Sequence, residues 1–172
     1  MMELYKTEIF ALAEGKQNKI FYNSSEQHAE IVHQAIVKTA EDYICIFSGS
    51  LCTEISNNDY YCDLMDHFLA GGIGRFVRIV LTEYTDEFKS RPLSKIFRKY
   101  KEQVEIRRFQ GTVRKNGNPV HFAFADDRMF RLETDIVNHM AFGNFNSPDQ
   151  VTYLKGIFDN VFQRSNAVDF AS

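Results

Sequence analysis

Val120-His121-Phe122-Ala123-Phe124-Ala125 and Met129-Phe130-Arg131-Leu132 are two short apolar runs separated by Asp126-Asp127-Arg128. Aromatic and branched residues fit a pleated, buried surface, and paired aspartates tolerate a tight turn, so the segment reads as a β-hairpin. Lys115-Asn116-Gly117-Asn118 just ahead of it is a further turn signal. Behind it, Ser147-Pro148-Asp149-Gln150 joins a cap, a proline for the first helical position and a capping-box glutamine. Val151, Leu154, Phe158, Val161 and Phe162 then recur at helical spacing, which makes this the best-defined helix in the chain.

Upstream of the hairpin, helices and strands alternate. Ser24 with Gln27 forms a capping box for a helix over about 25–40, whose apolar set includes Ile31, Val32, Ala35 and Ile36. Tyr43-Ile44-Cys45-Ile46-Phe47 is apolar throughout, the pattern of a strand buried on both faces, and Ser48-Gly49-Ser50 closes it. Asn57 or Asn58 caps a second helix carrying Tyr61, Leu64, Met65, Phe68 and Leu69, which Gly71-Gly72 stops. Phe76 to Thr82 is the next strand, Ser90 and Pro92 start a third helix, and Val104 to Phe109 alternates as a strand. This order predicts an α/β fold, a mixed and largely parallel sheet with helices on both faces, whose ligands gather where the strands end in loops.

The 172 residues suit a single domain, with a core over about 20–165 and short terminal arms. Twenty Lys and Arg against 23 Asp and Glu leave a charge of −3, so no global positive field draws the chain onto nucleic acid or anionic lipid, and any phosphate binding is local. Glu3, Lys6 and Glu8 interrupt the start where a signal peptide needs an apolar run, and no transmembrane segment is expected. Cys45, Cys52 and Cys62 are odd in number and lack metal or redox spacing, so reduced thiols and a cytoplasmic setting are expected.

His121-Phe122-Ala123-Phe124-Ala125-Asp126-Asp127-Arg128, followed by Ala141-Phe142-Gly143-Asn144-Phe145-Asn146, resembles the signature half of the phospholipase D-like superfamily. The usual form there is H-x-K, then an aspartate, then a small-residue turn of the type G-S-x-N leading into a helix. The upstream order of helices and strands matches as well. The resemblance implies that His121 is the nucleophile toward a phosphodiester phosphorus, Gly143 the turn glycine and Asn146 the asparagine that holds non-bridging oxygens, with Asn144 where serine is common. It implies no metal and no cofactor. It also implies a homodimer, because the family's complete site needs two motifs, the second supplying a histidine that protonates the leaving group.

Two departures bear on activity. Ala123 stands in place of the motif lysine, and Arg128 stands where the aspartate is expected, with Asp126 or Asp127 available to approximate its role. A preorganised donor at developing phosphoryl charge contributes about 3–4 kcal/mol, so losing the lysine predicts a catalytically impaired protein. Arg107, Arg108, Arg114 and Lys115 are the cations closest upstream, and Arg107, Arg114 and Lys115 are the candidate substrate-binding residues, since arginine forks suit phosphate oxygens. The expectation is a homodimeric module that binds phosphodiesters, nucleic acid or nucleotide, or that serves assembly. The alternative is an active metal-independent nuclease using His121. Other chemistry is weaker: His28 and His33 are read as surface or half-buried, His67 has no third ligand nearby, and Gly71-Gly72-Ile73-Gly74 ends a helix, whereas phosphate loops precede one.

Overall fold

The computed structural model describes residues 1–172. Along the chain run α1 (Met2–Glu14), β1 (Ile20–Asn23), α2 (Glu26–Thr39), β2 (Tyr43–Ser48), α3 (Glu54–Asn57), α4 (Asp59–Ala70), β3 (Phe76–Leu81), α5 (Pro92–Lys99) and β4 (Val104–Arg108). There follow β5 (Arg114–Lys115), β6 (Asn118–Pro119), β7 (His121–Ala125), β8 (Met129–Asp135), β9 (Met140–Asn144), α6 (Pro148–Gln163) and β10 (Asn166–Ala167). Eight strands make one sheet in the order β1-β9-β8-β7-β2-β3-β4-β10, and β5 pairs with β6 alone. The mixed sheet with helices on both faces that the alternation predicts is present. Parallel pairing is confined to β2-β3-β4, while the β7–β8 hairpin and its neighbours are antiparallel.

Each face of the sheet has its own core. On one face α1, α2, α4 and α5 bury Val32, Ile36, Met65 and Phe97 against Ile44, Ile46, Val77 and Ile79 of the central strands. On the other, α6 alone lays Val151, Leu154, Phe158 and Val161 over Phe47, Phe122, Phe124 and Leu132. β2 sits between the two cores, which is why its sequence is apolar at consecutive positions and not at alternate ones.

Local chemistry sets the ends of the elements. Ser25, one residue later than the capping box predicts, is the cap of α2, and its Oγ accepts the His28 N–H at 3.1 Å. Asn58 caps α4 by accepting the Tyr61 N–H at 2.9 Å. At the hairpin tip, a three-residue loop, Asp126 and Asp127 both adopt φ near +56° and the Arg128 N–H donates to the Ala125 carbonyl at 3.2 Å, so the paired left-handed residues reverse the chain. The Asp126 carboxylate also accepts the N–H groups of Glu41, Asp42 and Tyr43 at 2.7, 2.8 and 3.1 Å, tying the tip to the start of β2. β1 and β9 form the antiparallel edge of the sheet, and they approach closely at Gly143. A side chain there would stand 2.2 Å from the Phe130 carbonyl oxygen and 2.4 Å from the Phe21 ring.

Candidate functional site

His121 opens β7 beside the carboxyl ends of β2 and β3, where the loops of an α/β sheet leave a crevice. A cavity of about 230 Å³ lies there. Ile46, Phe47, Tyr61 and Phe122 give it an apolar wall, Ser48, Ser50 and Thr53 a polar lip, and His33, Glu83, His121, Arg131, Glu133 and His139 its ionisable groups. Leu51, also in the lining, holds φ at +55°, a strained conformation for a leucine beside the centre. The left-handed region is uncommon for any residue but glycine.

Strand periodicity assembles the polar cluster. Across the β7–β8 ladder His121 faces Glu133 and Ala123 faces Arg131, so all four side chains share one face of the sheet. The His121 Nδ1 lies 3.5 Å from Glu133 Oε1. The Arg131 Nη2 donates to Glu133 Oε2 at 2.6 Å, its Nε donates to Asn23 Oδ1 at 2.9 Å, and its Nη1 lies 3.4 Å from His33 Nε2. His139, with φ at +54°, brings an Nδ1 that has no hydrogen-bond partner to 3.7 Å from Glu133 Oε2. The side chains of Arg131 and Glu133 are only 4% and 7% exposed.

This is a buried ion pair ringed by three imidazoles. Burial works to raise the Glu133 pKa, but the His121 hydrogen bond and the Arg131 guanidinium together outweigh it and hold the carboxyl down at about 2. Burial, reinforced by the Arg131 charge, pushes His33 down to about 3, so its ring is neutral at neutral pH. Arg131 and Glu133 cancel, and Glu83, exposed at the mouth, has no cationic partner. Leaving the imidazoles aside, the fixed charge of the lining is therefore negative, which opposes entry of a phosphate.

Of the site residues that the resemblance implies, only His121 lies in this cavity, where it is joined by His33, read from the sequence as surface or half-buried. Gly143, on the face of Arg131 but one strand further out, leaves room for Phe21. Asn144 is buried and donates from Nδ2 to Asn18 Oδ1 at 2.8 Å, and Asn146 donates its backbone N–H to Asn144 Oδ1 at 2.9 Å. Arg107 pairs with Glu105 at 2.9 Å and lies over the Phe162 ring at 4.4 Å. Arg114 hydrogen-bonds the Gly117 carbonyl within the β5–β6 hairpin, and Lys115 stands 5.9 Å from the Phe142 ring. Arg128 reaches the carbonyls of Phe145 and Thr39, while Asp126 serves the backbone of β2. Asn23, Glu83, Arg131, Glu133 and His139 are the members that sequence reasoning missed, and His33 is one that it set aside. One signal for two of them was available: Arg131 and Glu133 are charged residues two apart in an apolar strand, hence on the face of His121.

The fold is that of the phospholipase D class. It is similar to Nuc from Salmonella typhimurium, a phospholipase D family member, with a TM-score of 0.60 at 10% identity over 88% of this chain and 99% of that one. It is similar to NucT from Helicobacter pylori, with a TM-score of 0.62 at 13% identity over 88% of this chain and all of that one. TrmBL2, an archaeal chromatin protein whose structure shows a novel mode of DNA binding, matches with a TM-score of 0.63 at 13% identity over 96% of this chain, which spans 63% of TrmBL2. By sequence, the chain belongs to the family described as a domain of unknown function, DUF7931, whose model it matches over residues 24–169. No curated protein matches its sequence. No helix is long and apolar enough to cross a membrane.

Proposed function

We propose that this protein is a non-hydrolytic phospholipase D-like module that binds nucleic acid as a homodimer in the cytoplasm. The observation that carries the reading is the replacement of the motif lysine by Ala123, together with full engagement of the facing cation. Arg131 directs its guanidinium to Asn23, Glu133 and the ring of His33, so no uncommitted arginine or lysine lines the His121 cavity. A phosphodiester transition state there would develop negative charge next to an already neutralised ion pair and an unpaired Glu83. Losing one donor to such charge lowers a rate by about 10²–10³. Three free cysteines fit a reducing compartment, and the likeness to a chromatin protein with a mode of DNA binding favours nucleic acid over other phosphodiesters. Binding with no cleavage is expected for fluorescent single-stranded and duplex oligonucleotides titrated by anisotropy at low salt, with the dimer read by sedimentation. A chain that stays monomeric and binds neither oligonucleotide contradicts the reading.

One observation favours a second reading, an active metal-independent phosphodiesterase. The contact from His121 Nδ1 to Glu133 leaves Nε2 as the nitrogen to attack phosphorus, an orientation that a nucleophilic imidazole requires. In that reaction the N–P bond forms as the P–O bond breaks, the leaving oxygen takes its proton from the second subunit's site, and water deprotonated by that same site then attacks phosphorus, breaking the N–P bond and freeing His121.

A further inference from the structure

A second recess lies on the other face of the sheet. One stripe of α6, Tyr153, Gly156, Ile157 and Asn160, continued by Arg164 just past the C-terminal end of the helix, faces the loop that leaves β4 through Phe109 to Val113, and the groove between them holds about 610 Å³. That volume is in the range of small-ligand sites, roughly 300–1,000 Å³. From Tyr153 to Arg164 the stripe is about 16 Å long at 1.5 Å per residue.

The lining is chemically one-sided. Arg164 is its one charged residue, is exposed, and has no carboxylate partner; it lies 5.5 Å from the centre of the Phe109 ring and donates to Asn160 Oδ1 at 3.3 Å. Tyr153 stands 55% exposed at the other end of the stripe. Asn160, Gln110 and Thr112 add side-chain donors and acceptors between them. Gly156 sits in the middle of a 16-residue helix, where glycine is unfavourable, and a side chain there would meet nothing within 4 Å. Neither packing nor backbone geometry requires it to be glycine, and it keeps the floor of the groove open.

We infer that the α6 groove is the nucleotide-binding surface of the protein, taking one or two unpaired bases of a single-stranded nucleic acid against Tyr153 and a phosphate against Arg164. This rests on the nucleic-acid reading above and moves the contact away from His121, whose cavity carries Glu83 and Glu133. An exposed aromatic ring that stacks bases, with a cation to hold the backbone and amide side chains between, is the general recipe for single-strand binding. Arginine laid on an aromatic ring is held in place and still offers its outer edge to phosphate.

The test titrates a fluorescent oligothymidylate against wild type, Gly156→Leu, Arg164→Glu and Lys95→Glu at low salt. Lys95 is exposed on α5, so Lys95→Glu matches the charge change of Arg164→Glu away from the groove. A Cβ at Gly156 meets nothing within 4 Å, so Gly156→Leu projects into the groove from an unobstructed position and favours the helix, and it is expected to melt at or above the wild-type temperature. Both groove variants are expected to weaken binding by about tenfold or more, the scale of one lost base stack, and Lys95→Glu by no more than about twofold, the scale of a screened distant charge. Wild-type affinity in both groove variants overturns the groove while leaving the nucleic-acid reading intact. No binding by wild type itself overturns both.

Discussion

Ala123 and Arg131 face each other across the β7–β8 ladder, so the position of the missing lysine is answered by an arginine on the adjacent strand. The arginine fills the site electrostatically without serving it, because Glu133 neutralises its charge within the protein. A buried pair of this kind adds little net stability when intact, yet costs a great deal to break.

Arg131→Met leaves the Glu133 carboxylate buried without its partner. The variant is expected to lose about 3–5 kcal/mol, and Arg131→Met/Glu133→Leu to recover most of that loss. Urea midpoints of the single and double variants check it; equal stability of wild type and Arg131→Met contradicts the buried pair.

Ala123→Lys restores the residue of the motif but sets a second cation beside Arg131 in a position only 2% exposed. It is expected to melt well below wild type and to gain no cleavage. Combining it with Arg131→Ala is expected to restore stability in part, since the new lysine then pairs with Glu133. Thermal melts of the three proteins report the outcome.

Acidification acts through two groups. His33 is held at about 3 against an ordinary 6.5, so the unfolded chain binds its proton first, and the stability it contributes falls from pH 6.5 downward to about 3. Glu133 is held at about 2 against 4.5, so the contribution of its ionised form is complete above 4.5 and is lost as the pH falls toward 2. Each proton taken up on unfolding gives a slope of about 1.4 kcal/mol per pH unit. His33→Asn is expected to flatten the upper part of the profile and leave the lower part, as read by denaturant midpoints between pH 7 and 3.

Asp126→Ala removes the acceptor for three backbone N–H groups at the start of β2. A loss of about 2–3 kcal/mol is expected, the scale of a charged hydrogen-bonded group left unmade, with hydrogen exchange accelerating at residues 41–43. A residue serving catalysis alone would leave those amides unchanged.

Much of this fold is legible in the residues. Tyr43–Phe47 declares a central strand by being apolar on both faces, and Asp126-Asp127 marks the tip of the hairpin. β1 and β9 were not legible: Ile20–Asn23 is too short for a period, and Met140–Asn144 is broken by Gly143, whose role is a close approach to Phe21. Of the site, His121 was legible through its motif, and Arg131 with Glu133 only through their place two apart in an apolar strand. Motif spacing drew attention to Gly143–Asn146, whereas the ladder register makes β8 the strand that faces His121, with Arg131 and Glu133 on it. Register, and the partners contributed by Asn23, His33 and His139 from distant segments, are long-range properties that local spacing does not contain.

The central claim is that binding has outlived hydrolysis. The most direct test incubates excess protein with end-labelled single-stranded oligonucleotide in chelator, wild type beside His121→Ala, and scores bound and cleaved strands in the same samples. Bound, intact oligonucleotide with both proteins is the predicted result. Cleavage by wild type that His121→Ala abolishes would contradict the account and establish an active phosphodiesterase.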